Sequence, residues 1–102
     1  MENQERKIQE IQILEQNLQN LLLQKQAFNM ELSETKSAKK EIENAGDDVF
    51  KIIGQLMIKS DKLRVGAELS NKERLLELRV KSLEKQEILL TEKIDSIRKE
   101  FF

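Results

Sequence analysis

The chain lacks cysteine, histidine, proline, tryptophan and tyrosine, and it has only three glycines and four phenylalanines among its 102 residues. Without cysteine and histidine there is no disulfide, no thiol nucleophile, no thiolate or imidazole ligand for zinc and no histidine general base. The glycine loops that cradle phosphates, GxxxxGK(S/T) and GxGxxG, do not occur in the sequence either. We therefore predict that the protein is not an enzyme and uses no cofactor or metal.

An excess of charge of one sign is also lacking, since 18 basic and 19 acidic residues leave a net charge of −1. A nucleic-acid partner would require basic residues gathered on one face, so we expect none. No window reaches the roughly 18 uncharged apolar residues of a membrane span, and the beginning, MENQERKIQE, lacks the apolar stretch of a signal peptide. We expect a soluble, cytoplasmic protein without a membrane partner.

Breakers of helices are confined to the centre of the chain. The glycines are Gly46, Gly54 and Gly66, and residues 1–45 and 67–102 contain neither glycine nor proline. Both flanks are therefore predicted to be uninterrupted helices. The fold class that follows is mainly α, a long antiparallel two-helix coiled coil interrupted by a short central β-hairpin.

The whole chain, 1–102, is expected to form a single domain. We place helix 1 at about 3–44, the β-hairpin at about 48–66 and helix 2 at about 67–101. The start of helix 2 is open at this point, because Ser70 and Glu73 also form a capping box that would begin it near Asn71.

Both helices carry a 3-4 repeat of apolar residues, which is typical of coiled coils when it is sustained over four or more heptads. In helix 1 the repeat is Ile11, Leu14, Leu18, Leu21, Lys25, Phe28, Leu32, Thr35, Lys39 and Ile42. In helix 2 it is Leu69, Glu73, Leu76, Val80, Leu83, Glu87, Leu90, Ile94, Ile97 and Phe101.

The polar residues of these repeats indicate that the two helices pair with each other. If the chain folds back at its centre, the register that sets Lys25 opposite Glu87 also sets Lys39 opposite Glu73. Polar residues in such a seam reduce stability but fix register and orientation. The alternative is that the match is accidental, since two heptad repeats of equal length can always be aligned in this way.

The central segment has the composition of a strand. Val49–Ile58 carries Phe50, Ile52, Gly54, Leu56 and Ile58 on one face when it is read with a period of two. A polar break at Lys59–Lys62 and a second alternating run, Leu63–Val65, complete a predicted hairpin. The alternative is a third, short helix with an apolar stripe of Phe50, Ile53 and Met57, but Gly54 and the β-branched residues favour a strand.

A two-stranded hairpin is marginal in water, and an apolar one with open edges is prone to aggregate. We therefore predict that this segment pairs with other subunits and that the protein is an oligomer. The residues assigned to this oligomerisation segment are Val49, Phe50, Ile52, Ile53, Gly54, Leu56, Met57, Ile58, Leu63 and Val65.

In such a fold the two termini meet at the free end of the paired helices, and apolar residues gather there. These tip residues are Met1, Ile8, Ile11, Ile13, Ile97, Phe101 and Phe102. Two consecutive phenylalanines cannot both enter the seam, so at least one is expected to be exposed or loosely packed. An exposed apolar patch of this kind usually marks a contact site. Fraying, or self-association that hides the patch, is the alternative.

The central block GDDVFKIIGQLMIKSDK resembles that of the β-class subunits of prefoldin, in which an aromatic-Lys-x-x-Gly run leads into an apolar strand ending in lysine. Phe50, Lys51, Gly54, Leu56, Ile58 and Lys59 occupy those positions. The resemblance extends over nearly the whole chain, although only this block is specific. The run from Leu63 to Gly66 is less polar than the family pattern, and the sequence before helix 1 has no extended lead containing proline.

The resemblance implies a chaperone subunit that acts without ATP. Its implied partners are α-class prefoldin subunits and other copies of itself in a hexamer, with the hairpins joined in a β-barrel. It further implies capture of unfolded client proteins at the coiled-coil tips and their transfer to a group II chaperonin. The alternative function is a structural coiled-coil scaffold or tether that holds no client.

Overall fold

The computed structural model describes residues 2–102. Helix α1 spans Glu2–Asn44, strand β1 spans Asp48–Ile53, strand β2 spans Leu56–Asp61 and helix α2 spans Lys62–Phe101. The two strands form one antiparallel sheet. The mainly helical fold with a central hairpin is the predicted one, and the central strand assignment is confirmed over the alternative of a third helix.

The chain divides into two compact units. The terminal unit contains the residues up to Phe28 together with Arg79–Phe102, and the hairpin unit contains Asn29–Leu78.

In the terminal unit, α1 packs on α2 through the predicted seam. Ile11, Leu14, Ile94 and Ile97 form its buried cluster, with Leu18, Leu90 and Phe101 packed against them. Lys25 of α1 donates a hydrogen bond to Glu87 of α2, with 2.7 Å between Nζ and Oε2. The arginine Arg79 lies over the ring of Phe28, 5.5 Å from its centroid. Apolar packing therefore stabilises this unit, and one polar pair in the seam fixes its register.

In the hairpin unit, α1 and α2 also pack on each other through residues of the predicted repeats. Lys39 Nζ lies 3.1 Å from Glu73 Oε2, which is the second predicted pair. Thr35 is the one buried polar residue among those described, and its hydroxyl donates to the carbonyl of Glu31 within α1 at 2.8 Å. This internal bond explains how a hydroxyl is accommodated in an otherwise apolar seam.

Every residue of the two predicted repeats is buried or half-buried in its own unit. Both Lys–Glu pairs exist as hydrogen-bonded ion pairs, so the match in the sequence was not accidental. The antiparallel pairing of the helices is confirmed within each unit.

The turn of the hairpin lies at Gly54 and Gln55, before the predicted position. Ile53 pairs with Leu56 across this two-residue loop. Gly54 has a φ of 61°, whereas no non-glycine residue among those described has a positive φ. A glycine with positive φ followed by a residue with negative φ is the type II′ arrangement, which matches the twist of an antiparallel pair. The predicted strand through Val49–Ile58 is therefore wrong, because Gly54 reverses the chain in its middle.

Helix α2 begins at Lys62, five residues before the predicted start. The carboxylate of Asp61 accepts a hydrogen bond from the backbone N–H of Arg64 at 2.7 Å and so caps the helix. The predicted second strand at Leu63–Val65 is wrong for this reason, and the alternative capping box at Ser70 lies inside the helix.

Lys62 also joins the two helix ends of the hairpin unit. Its ammonium group donates to the carbonyl oxygens of Glu43 and Ala45, at 3.1 Å each. Because α1 has no basic residue in its last turn, Lys62 supplies the positive charge that the carboxyl end of a helix favours.

Neither helix in the described part of the chain has the length of apolar sequence that crossing a bilayer requires.

We expect reversal of one seam charge to destabilise the protein and reversal of both to restore it. Lys25→Glu places a carboxylate beside Glu87, so the Tm followed by circular dichroism should fall. Adding Glu87→Lys should recover most of the loss. Lys81→Glu makes the same change of charge at an exposed position of α2 and should have little effect. Equal Tm values for Lys25→Glu and Lys81→Glu would contradict the assigned register.

Candidate functional site

The register of the hairpin decides which side chains share a face. Phe50 pairs with Lys59 and Ile52 with Met57, so these four lie on one face, which we call the open face. The other face carries the apolar pair Ile53 with Leu56 next to the turn, followed by Lys51 with Ile58 and Val49 with Ser60. The predicted grouping of Phe50 and Ile52 with Leu56 and Ile58 is wrong, because the turn at Gly54 places the second pair on the opposite face.

The open face is apolar and uncovered within the chain. Ile52 and Met57 are 72% and 68% exposed, and Phe50 is exposed beside them. Lys59 and Asp48 form a cross-strand ion pair at 3.5 Å where the strands meet the helices. Large apolar side chains exposed in this way mark an interaction surface.

The second face of the hairpin is covered at one end. Val49 is only 6% exposed, and Lys51 Nζ lies 2.7 Å from Glu68 Oε2 on α2. Nearer the turn, Ile53, Leu56 and Ile58 are exposed. The covered end therefore fixes the hairpin to α2, and the apolar end near the turn is left without a partner in the chain.

Leu63 and Val65, which were assigned to the oligomerisation segment as strand residues, lie instead in the first turn of α2. Leu63 is exposed and Val65 is buried. The two side chains lie on different sides of α2, so only Leu63 presents apolar surface next to the hairpin.

The predicted tip residues fall into two groups in the terminal unit. Ile11 and Ile97 are buried in the seam cluster, and Phe101 packs against that cluster. The ammonium group of Lys7 lies 5.3 Å from the centroid of the Phe101 ring, a cation–π contact that covers the ring from the other helix. These three residues hold the helix ends together.

Ile8, Ile13 and Phe102 form the second group, and we call them the tip surface. All three are exposed, Ile13 by 63% and Phe102 by 67%. Of the two terminal phenylalanines, one is therefore packed and the other exposed, in agreement with the expectation from the sequence. Met1 lies outside the described residues.

A groove of about 770 Å³ opens at the tip surface between α1 and α2. Ile8, Ile11 and Phe102 form its apolar part, and Gln12, Glu15, Arg98 and Lys99 form its polar part. Arg98 and Glu15 make an ion pair across the two helices. Sequence reasoning missed these polar lining residues, although their heptad positions beside Leu14 and Ile97 could have identified them.

Among residues 2–102 no group of three or more acidic side chains is arranged to hold a metal ion. Every buried side-chain nitrogen or oxygen in this range has a hydrogen-bond partner. The candidate functional site is therefore a pair of apolar surfaces, one on the hairpin and one at the tip.

Lys25 lies beside acidic side chains in the terminal unit. The hydrogen bond to the Glu87 carboxylate raises the pKa of Lys25 above its ordinary value, and the nearby Glu84 acts in the same direction. Partial burial opposes the shift but does not reverse it. The lysine is thus held in its charged form by its partner in the seam.

Comparison with known proteins agrees with this architecture. The profile of the prefoldin subunit family matches residues 5–101. The prefoldin beta subunit of Thermococcus kodakarensis is 40% identical over 90 residues, which cover 86% of this chain and 77% of the relative. That of Saccharolobus islandicus is 37% identical over 89 residues, covering 85% and 71%.

The likeness extends to a crystal structure. The prefoldin beta subunit from Thermococcus strain KS-1 superposes with a TM-score of 0.91 at 35% identity, over 97% of this chain and 89% of that chain. The chain therefore belongs to the prefoldin subunit family, a family of chaperones without enzymatic activity. Its relatives are β subunits, and it belongs to the β class. Membership implies assembly with α- and β-class subunits into a hexamer.

The raised pKa of Lys25 predicts a loss of stability at high pH. A group whose pKa is higher in the folded than in the unfolded state stabilises the fold below the unfolded value, about 10.4 for lysine, and stops doing so as the pH rises through the folded value. The difference in unfolding free energy between wild type and Lys25→Met should thus be constant from about pH 7, where carboxylates are ionised, to about pH 10 and shift against the wild type above it. Urea titrations across this range measure it, and a difference independent of pH would contradict the assignment.

Proposed function

We propose that this chain is a subunit of an ATP-independent chaperone in which the hairpin joins the hexamer and the tip surface holds unfolded polypeptides. The observation that carries the proposal is the position of its exposed apolar surface. Six large apolar side chains are exposed together on the hairpin, and Ile8, Ile13 and Phe102 are exposed at the tip, while the seam is closed within each unit. Other exposed apolar residues, among them Leu23, Leu75 and Leu89, are distributed along the helices. In this proposal residues 1–102 act as a single prefoldin-like domain in the cytoplasm.

The hairpin is suited to form a β-barrel with other subunits. Both of its strands have a free edge, and its open face leaves Phe50, Ile52 and Met57 in contact with solvent. Strands from neighbouring subunits would satisfy the edge N–H and C=O groups and bury these side chains. Leu63, exposed in the first turn of α2, extends the apolar surface beside the hairpin.

The tip surface is suited to weak contact with non-native protein. Ile8, Ile13 and Phe102 offer apolar contact without a closed pocket, so they select for exposed apolar residues and not for a particular shape. Ile11, Ile97 and Phe101 support them from the seam and make no direct contact in this proposal. Several such tips in one hexamer would act together through their effective concentration, which compensates for the low affinity of each.

Low affinity at each tip also allows release. A client held by several weak contacts leaves stepwise, and a second chaperone that competes for the same apolar residues can take it over. We therefore propose transfer to a group II chaperonin as the step that follows capture, as the family resemblance implies.

Charges on the open face should prevent assembly. Ile52→Lys together with Met57→Lys places two cations at a cross-strand pair that the proposal buries between subunits. Native mass spectrometry after mixing with α-class subunits should show the wild-type hexamer and no hexamer of the variant. Circular dichroism should show unchanged helix content, because the helices do not depend on this face.

The matched control is Leu75→Lys together with Leu78→Lys, which adds the same charge at two exposed apolar positions of α2 in the same unit. This control should assemble normally. A hexamer formed by the hairpin variant would show that the open face is not an interface.

Truncation of the tip surface should reduce client holding without affecting assembly. Ile8→Ala, Ile13→Ala and Phe102→Ala keep the helices and remove three exposed apolar side chains from each tip. The concentration of hexamer that half-suppresses aggregation of a denatured client should rise by roughly tenfold, because the loss is repeated at several tips. Light scattering during dilution of the client from denaturant measures this.

Leu75→Ala with Leu78→Ala removes comparable exposed apolar surface away from the tip and serves as the control. Suppression should be unchanged in this control. If the tip variant also suppresses aggregation as the wild type does, the tips do not hold the client. The chain would then be a structural scaffold.

A further inference from the structure

The outward surface of α1 in the terminal unit carries no charge over five helical turns. The residues that lie two positions before each seam residue of this helix are all exposed, and they recur every three or four residues. They are Gln9, Gln12, Gln16, Gln19, Leu23 and Gln26. We call this set the amide face. In a coiled coil such outward positions are ordinarily charged, and more than a third of this chain consists of charged residues. The composition of the amide face is therefore a specific feature that the seam does not explain.

The contrast with α2 sharpens this observation. From Gln16 to Phe28, α1 has one charged residue, Lys25, and this residue faces the seam and pairs with Glu87. The stretch of α2 in the same unit from Arg79 to Lys93 has seven, namely Arg79, Lys81, Glu84, Lys85, Glu87, Glu92 and Lys93. In this part of the unit most of the charge is therefore carried by α2, and the exposed surface of α1 from Gln16 to Phe28 is neutral.

The amide face is continuous with the groove at the tip. Gln12 lines that groove and also a shallower one formed with Gln9, Ile13, Gln16 and Asn17. Further along α1, Gln19 and Gln26 flank Leu22 and Leu23 in another shallow groove. Leu23 is 64% exposed, so aliphatic side chains recur between the amides. One uncharged surface of alternating amide and aliphatic groups therefore leads away from the tip surface.

We propose that the amide face binds extended segments of unfolded polypeptide and makes the chaperone indifferent to the charge of its client. This inference rests on the proposed client-holding function and extends it from the tip along α1. Each glutamine offers both a donor and an acceptor to the peptide groups of an extended chain. Ile13 and Leu23 contact apolar side chains, and the absence of fixed charge avoids like-charge repulsion of acidic and basic clients alike.

The test introduces charge on the amide face and asks whether client preference appears. Gln16→Glu, Gln19→Glu and Gln26→Glu are nearly isosteric and keep a good helix former at each position. The probes are two permanently unfolded proteins labelled with a fluorophore, reduced and carboxamidomethylated α-lactalbumin, which is acidic, and lysozyme treated in the same way, which is basic. Fluorescence anisotropy measures the binding of each to the assembled hexamer.

Wild-type hexamer is expected to bind both probes with similar affinity. The triple glutamate variant should bind the acidic probe about fivefold or more weakly and retain or gain affinity for the basic one, from three exposed charge contacts per subunit. The corresponding triple lysine variant should show the reverse preference. At about 1 M salt, where the Debye length is about 3 Å, both preferences should disappear.

The matched control adds three glutamates to the exposed surface of α2 in the same unit, through Ser82→Glu, Thr91→Glu and Ser96→Glu. This control should bind both probes as the wild type does. Equal loss of the acidic probe in the control would show a general effect of net charge and overturn the inference. Loss of the hexamer in the amide-face variant alone would identify the face as a contact between subunits and overturn it equally.

The outcomes separate this inference from the proposed function. In one outcome wild type binds both probes, the tip variant binds neither, and the charged amide-face variants bind as wild type. Client holding then stands, and the amide face is not part of it. If wild type binds neither probe, the client-holding function fails and the inference fails with it.

Discussion

Pairing of α1 with α2 through a 3-4 seam within each unit is the constraint on which the other features depend. Each helix alone would leave a stripe of leucine and isoleucine in water, and neither contains a glycine or proline that would allow it to fold on itself within that stripe. The apolar residues of the seam would also meet each other in other registers, so its polar residues determine which register forms. One Lys–Glu pair lies in each unit, and a shift by a single heptad would separate both pairs and set Lys25 against Val80 or Ile94.

Once the helices are paired, the apolar side chains that do not enter the seam remain as exposed surface. Exposed apolar side chains lie on the hairpin, at the tip surface and along both helices, including Leu75, Leu78 and Leu89 of α2. Three surfaces differ in chemistry: the hairpin is rich in β-branched residues and has free strand edges, the tip surface is apolar and discontinuous, and the amide face is neutral and polar. We propose that the first acts in assembly and that the second and third hold unfolded polypeptide.

The helical part of the fold could be predicted from the sequence residue by residue, because a period of 3.5 is a strong signal when it persists over several heptads. Lys25 and Lys39 could be matched with Glu87 and Glu73 for the same reason. The hairpin was predicted less well, since Gly54 was counted as a strand residue when its positive φ makes it the turn. The start of α2 was missed because Asp61 was included in a polar break, although its carboxylate caps the helix. The repeat placed Phe101 in the seam and left Phe102 outside it, but the sequence does not show that Lys7 covers the ring of Phe101.

The contacts of Lys62 have a mechanical consequence. The hairpin passes into α2 without an intervening residue, since β2 ends at Asp61 and α2 begins at Lys62, whereas residues 45–47 separate it from α1. The ammonium group of Lys62 joins the carbonyl groups of Glu43 and Ala45 to the first residue of α2. A rotation of the hairpin would therefore act on α2 directly, and on α1 only through residues 45–47 and the hydrogen bonds of this lysine.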